Sequence, residues 1–316
     1  MNQSSAPQLD LPPQGGGSAF RFGKLIRNNL FVAAALTIAL FVAGGLLNGN
    51  FLNPQNIGSI FTLAVIMGIA SFGQTVVVIS GGDGIDLSIG GSISLGAVMS
   101  ALVMNGQNSG IVPALLLVIG TGIVIGLINS AGIILAKVPP LVMTMAVANI
   151  LGIVQLIICN GSPTGRPAPA IAYIGTHRFF PILTVLMIVG AVFLYVAHKF
   201  LNNTTYGHQL FAVGNNPGAA FLSGARPNFV RMTAYVISGV FGMLTGFLLL
   251  GYNSFVFVNM GMAYVLPSVA AVVIGGTSFA GGKGSFNGTM VGAVLLTTLA
   301  SLLIVADHAR AADPAI

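Results

Sequence analysis

The chain has 316 residues, of which 55% are hydrophobic and 5% charged, with a formal net charge of +6 and neither Glu nor Trp. Soluble domains carry about 25% charged residues, so a water-soluble fold is excluded, and the eleven basic residues are scattered singly and form no nucleic-acid patch. The single cysteine, Cys159, excludes an internal disulfide or a cysteine metal cluster.

Residues 1–28 are polar and rich in Gly and Pro, with Arg21, Lys24 and Arg27 just before the first apolar run. That run, Leu30–Leu47, is 18 residues long, beyond the about 7–15 of a cleavable signal. It is expected to be a spanning helix behind a disordered cytoplasmic tail. Further stretches approach the about 20 apolar residues needed to cross a bilayer: Ile57–Ile79, Ser88–Met104, Ile111–Ala136, Pro140–Ile158, Pro181–Ala197, Met232–Leu250, Tyr264–Gly276 and Phe286–Val305. The pattern predicts an all-α, polytopic transmembrane bundle of about nine spans. The third and eighth are short or interrupted by Gly, as broken helices inside a bundle are. Tyr195, Tyr235, Tyr252 and Tyr264 fall near predicted helix ends, where an amphipathic ring prefers the interface. With the N-terminus inside, eight basic residues fall on the cytoplasmic side and three opposite, in accord with the positive-inside rule. Residues 29–305 form the predicted transmembrane domain and 306–316 a short polar tail.

Three motifs stand out in chain order. Ser80–Ser92 holds Asp83 and Asp86 at a membrane boundary, where a carboxylate is costly and has a partner or a task. Asp86 before Leu87-Ser88 either caps a helix start among packing glycines or touches substrate or gate. Leu201–Arg231 is the longest polar stretch between spans, and within it Asn216 is a helix cap with Pro217 at the first position. Gly218, Ala219, Ala220 and Ser223 then lie on a short helix ending at Gly224, either a compact knob for a partner or an amphipathic helix on the membrane. Ile274–Ser285 fails the phosphate-loop pattern at Thr277 and Gly284 and is expected to be a flexible cytoplasmic turn. Its Gly-Ser…Gly-Ala-Val continuation matches that after the first motif, hinting at an internal repeat. His177, His198, His208 and His308 have no metal-ligand spacing, and no cofactor is expected.

In this order, Gly84–Gly90, Ala212–Gly224 and Gly275–Ser285 resemble the permease subunit of sugar-type bacterial ATP-binding cassette importers, the ribose and xylose branch, over residues 25–305. The resemblance implies a multi-pass inner-membrane protein working with a second permease copy or paralogue, a cytoplasmic ATPase and a periplasmic sugar-binding protein. It also implies that the second motif, Asn216, Pro217, Gly218, Ala219, Ala220, Ser223 and Gly224, docks on the ATPase. The chain departs from the family at Gly218, commonly Glu, and at Ala225, commonly a bulky aliphatic. Ten spans are usual, and the last is expected to be missing after Val305.

The function read from this is inward passage of a neutral sugar, driven by a separate ATPase. Gln74, Asn129, Asn149 and Gln155 are candidates for the path, with Asp86 and Ser88 at the gate, because a hydroxyl-rich substrate needs uncharged hydrogen-bonding groups. The rival readings are an ion-coupled secondary transporter, which needs ionisable groups inside the membrane, and a non-transporting scaffold.

Overall fold

The computed structural model describes residues 29–312. The tail expected over 1–28 lies outside the described residues. Twelve α-helices follow in order among those described. They are α1 Asn29–Leu47, α2 Pro54–Ile79, α3 Ile89–Met104, α4 Ile111–Ile134, α5 Pro140–Ile158, α6 Pro169–Thr176, α7 Val185–Asn203, α8 Thr205–Asn215, α9 Pro217–Leu222, α10 Pro227–Asn253, α11 Val265–Ile274 and α12 Phe286–Ala312. Seven are long and apolar enough to cross a membrane, while α3 and α11 are shorter apolar helices. At a rise of about 1.5 Å per residue, α11 reaches about 15 Å, half the hydrocarbon thickness.

The start of α2 is fixed locally. The Asn53 side chain accepts from the Gln55 N–H at 3.1 Å and Pro54 takes the first position. The helix then runs through the middle of the bundle. In their most apolar windows, 94% of α2 is buried against 17% of α1, so α2 is the inner helix and α1 an outer one. Helix α10 packs on α2, α3 and α4. Glycines set the close crossings: a Cβ on Gly122 would stand 2.6 Å from the Val240 Cα, and one on Gly126 would strike the backbone at Val236. Backbones meet this closely only where side chains are absent. Phe72 of α2 anchors an aromatic cluster, with ring centroids 5.3 Å from Phe193, 4.9 Å from Phe241 and 5.1 Å from Phe286.

Beyond α10 the chain turns at Ser254 (φ 63°) and re-enters the bundle. The Gly261 N–H donates to Ser94 Oγ of α3 at 2.9 Å, and Met260 is buried. Half-helix α11 starts from this point inside the bundle, so the interruption expected of the eighth segment is real.

Several boundaries differ from those expected. The sixth span is Val185–Asn203 rather than Pro181–Ala197: an Arg178–Thr184 bridge occupies the apolar residues before it, and Thr184 Oγ1 caps the helix at the Met187 N–H. The seventh begins at Pro227, which places Arg231 on the helix and shortens the polar loop to 204–226. Helix α12 continues to Ala312, through the first part of the expected polar tail. Tyr235 is no interface residue; it is buried inside α10.

Candidate functional site

Two sites lie at the end of the bundle that carries α8 and α9. The first is the 204–226 loop. Thr204 caps α8 by accepting from the Gly207 N–H at 3.1 Å, and Tyr206 OH donates to the Val230 carbonyl at 3.2 Å, tying α8 to α10. Burial pushes the Tyr206 phenol above its ordinary range, so it stays a neutral donor. Asn216 Oδ1 accepts from the Ala219 N–H at 3.0 Å and Pro217 occupies the first position of α9, as the sequence predicts. The helix closes at Ser223, whose Oγ donates to the Ala219 carbonyl at 3.0 Å, and the chain leaves through Gly224 at φ +88°.

Side chains on α9 divide by face. Ala220 is buried against Leu210, Val213 and Val230, so it is a seat for the helix and is not presented outward. Gly218, Ala219 and Ser223 are exposed. The outermost groups are Phe221 and Leu222, 65% and 87% exposed, and sequence reasoning did not assign them. Beside them a 410 Å³ cleft runs between α8 and α9, lined by residues that include His208, Gln209, Asn216 and Ser223. An apolar pair on a capped helix next to a cleft lined by alanines and a few polar groups can seat a partner's surface.

The second site is a buried polar cluster. Segment 80–88 links α2 to α3 and folds back beside α2, so that the Asp86 N–H donates to Gln74 Oε1 at 3.3 Å. Asp86 Oδ1 accepts from the Ser88 N–H at 2.9 Å and from Ser88 Oγ at 2.5 Å. Ser88 Oγ in turn accepts from Asn129 Nδ2 at 2.8 Å, and Thr144 Oγ1 of α5 accepts from the Leu87 N–H at 3.1 Å. All five side chains are fully buried. The carboxylate thus closes on Ser88, the residue just ahead of α3, while the Asp86 N–H and Ser88 Oγ carry the links to Gln74 of α2 and Asn129 of α4; among the described residues no side chain caps the first turn of α3 itself. Gln74 Nε2, Asp86 Oδ2, Asn129 Oδ1, Tyr235 OH and Ser238 Oγ have no partner among the described residues.

The structure therefore brings Gln74, Asp86, Ser88 and Asn129 together and leaves the other two expected path residues apart. Gln155 is buried and donates from Nε2 to Asn259 Oδ1 at 2.5 Å, on the re-entrant segment before α11. Asn149 is exposed on α5 and joins neither group. Thr144, Tyr235, Ser238 and Asn259 were missed. Hydroxyls in spans carry little signal because they also bond back to their own helix, as Thr144 does to the Pro140 carbonyl at 2.9 Å.

Long apolar helices, two short helices held inside them and a capped polar loop at one end define a multi-pass α-helical membrane permease. The chain belongs to the family described as branched-chain amino acid transport system / permease component, whose model matches residues 56–312. It is a transport subunit of the inner membrane, not an enzyme. It is similar to the ribose import permease protein RbsC of Bacillus subtilis, 32% identical over 82% of this chain and 80% of that one. The ribose import permease of Escherichia coli K12 is 33% identical over 86% and 84%. The autoinducer 2 import system permease protein LsrC of Yersinia pseudotuberculosis is 30% identical over 89% and 79%. No solved structure matches the chain.

Proposed function

We propose that the chain carries a neutral sugar inward across the bacterial inner membrane, powered by a separate cytoplasmic ATPase that docks on α8–α9. The N-terminus then lies in the cytoplasm. Lys137, Lys199, Arg226, Arg231 and Lys283 fall at the α8–α9 end and Arg166 and Arg178 at the other, which supports that orientation. A periplasmic sugar-binding protein delivers substrate, and a second copy or a paralogue completes the path.

The observation that carries this reading is the Phe221–Leu222 pair, exposed at the tip of a loop otherwise capped and pinned. Large apolar side chains turned out from a rigid loop mark a protein contact. The contact residues are Asn216, Pro217, Gly218, Ala219, Ser223 and Gly224 around that pair, with Ala220 holding the helix from behind. Gln155, Asn259 and Asn149 line the path, and the Asp86, Ser88, Gln74 and Asn129 cluster holds the gate. Among the described helices and their links the buried acidic side chain is Asp86, already engaged by Ser88, and the groups beside it are neutral amides and hydroxyls, which favours an uncharged, hydroxyl-rich substrate.

The test is co-purification of the ATPase with Leu222→Asp. Retention is expected to fall about tenfold or more, as when a central apolar contact is lost, with membrane insertion unchanged. Undiminished retention would refute the docking role. Uptake of labelled D-ribose into liposomes by the chain alone, driven by a proton or sodium gradient, would overturn the ATPase-driven reading.

A further inference from the structure

We infer that three glycine turns at the α8–α9 end form a backbone joint without slack, through which the docking loop moves the short helices α3 and α11, and that Gly214 is the positioning residue on which the joint closes. This rests on the docking reading above. The turns come from distant parts of the chain. Gly81 follows α2 and leads to α3, Gly214 lies in the last turn of α8, and Gly281–Gly282 lies between α11 and α12. All four glycines are buried.

The contacts are backbone on backbone. A Cβ on Gly81 would stand 3.1 Å from both the Cα and the carbonyl oxygen of Gly214, and one on Gly281 would stand 2.5 Å from the Gly81 Cα. A Cβ on Gly282 would stand 2.6 Å from the Asn215 nitrogen. At Gly214 it would collide with the Ile79 carbonyl and the Gly282 nitrogen, which are themselves joined by an N–H···O bond of 2.9 Å. Arg231 covers a further side, its Nε donating to the Ser80 carbonyl at 3.4 Å and its guanidinium lying against Gly82.

The motifs singled out in the sequence thus meet at one point, and none of them ends in a flexible turn. Packed side chains absorb a displacement by changing rotamer; bare backbone has none to change. A shift of α8 must therefore move the turn ahead of α3 and the turn behind α11 together. Those two helices are too short to span alone and are the elements that a small displacement can re-seat. Not every glycine of the loop is held this way. Gly218 meets nothing nearer than Asn216 Oδ1 at 3.4 Å. Gly81, Gly281 and Gly282 also have positive φ, which penalises a side chain by itself. Gly214 does not, so Gly214→Ala tests space alone.

The experiment uses the complex with its ATPase in lipid nanodiscs. Cys159→Ala removes the native thiol, and Met262→Cys places a reporter on the half-exposed re-entrant turn before α11. The rate of labelling by a membrane-impermeant maleimide is measured with and without ATP plus orthovanadate. In the parent complex nucleotide is expected to change the rate about fivefold or more, the span of an ordinary coupling energy. Gly214→Ala and Gly281→Ala are expected to cut the change below about twofold while the ATPase still co-purifies and hydrolyses ATP; Gly120→Ala on α4, where a Cβ meets nothing within 4 Å, is expected to leave it intact. A full response in Gly214→Ala, its loss in Gly120→Ala, or no response in the parent complex would overturn the joint. So would loss of the ATPase from both joint variants, because the turns would then be structural only. Failure of the parent to retain the ATPase at all would instead strike the docking reading.

Discussion

Residues 80–88 hold two regions, one after the other, that are secured by opposite means. The first half, Gly81–Gly82, is fixed by what is absent: no side chain, and the Gly214 backbone and the Arg231 guanidinium where side chains would be. The second half, Asp86–Ser88, is fixed by what is present: a carboxylate, a hydroxyl and two amides bonded across α2, α3 and α4. Between them Asp83 stands exposed at φ 54°, a conformation Asp tolerates. Close packing is sensitive to volume and indifferent to polarity. A buried hydrogen-bond network is sensitive to polarity and tolerates an isostere. The two halves should therefore fail under different substitutions.

The largest effect is expected from Gly281→Val. A β-branched residue at φ +83°, against the Gly81 backbone, combines a backbone penalty with overpacking, about 4 kcal/mol together. It is read as lost thermal stability of the purified protein in detergent. Near-parent stability would show that the joint can open, and the contrast would fail at its first half. Next is Asp86→Ala, which strips the acceptor from the Ser88 N–H and Oγ and should cost about 2–3 kcal/mol. Asp86→Asn keeps an oxygen at the same place and should recover most of that loss. If Asn proves as damaging as Ala in the same melts, the negative charge matters and hydrogen bonding alone is the wrong account. The smallest effect is expected from Ser238→Ala. Its hydroxyl faces Asp86 without a hydrogen bond of good geometry, so its removal should cost less than about 0.5 kcal/mol. A loss several times larger would mean that the hydroxyl is engaged, by an ordered water or by Asp86 Oδ2.

The same contrast bears on the docking loop. Its inner face is set by volume, with Gly214 and Ala220 pressed against the bundle, and its outer face by the exposed Phe221 and Leu222. Ala220→Arg would thus unseat α9 from its own protein before meeting any partner, whereas Leu222→Asp acts on the partner alone.

Composition and apolar run length by themselves determined the class of this protein and the place of its helices. In a bilayer, backbone hydrogen bonds must close within each segment, so a local property of about 20 residues decides whether it spans. The caps at Asn216 and Pro217 were equally legible, because a cap involves neighbours in the chain. The short third and eighth segments announced themselves by length and glycine. Only the tertiary structure decided that Ala220 faces inward while Leu222 faces outward on so short a helix, and that Asn129 reaches Ser88 while Asn149 reaches neither group. It alone brought Tyr235 into the core, paired Gln155 with Asn259, and joined Gly81, Gly214 and Gly281. Those partners are 41 to more than 100 residues apart in the chain. A glycine that makes room for a distant backbone reads, in one dimension, like any other glycine in a turn.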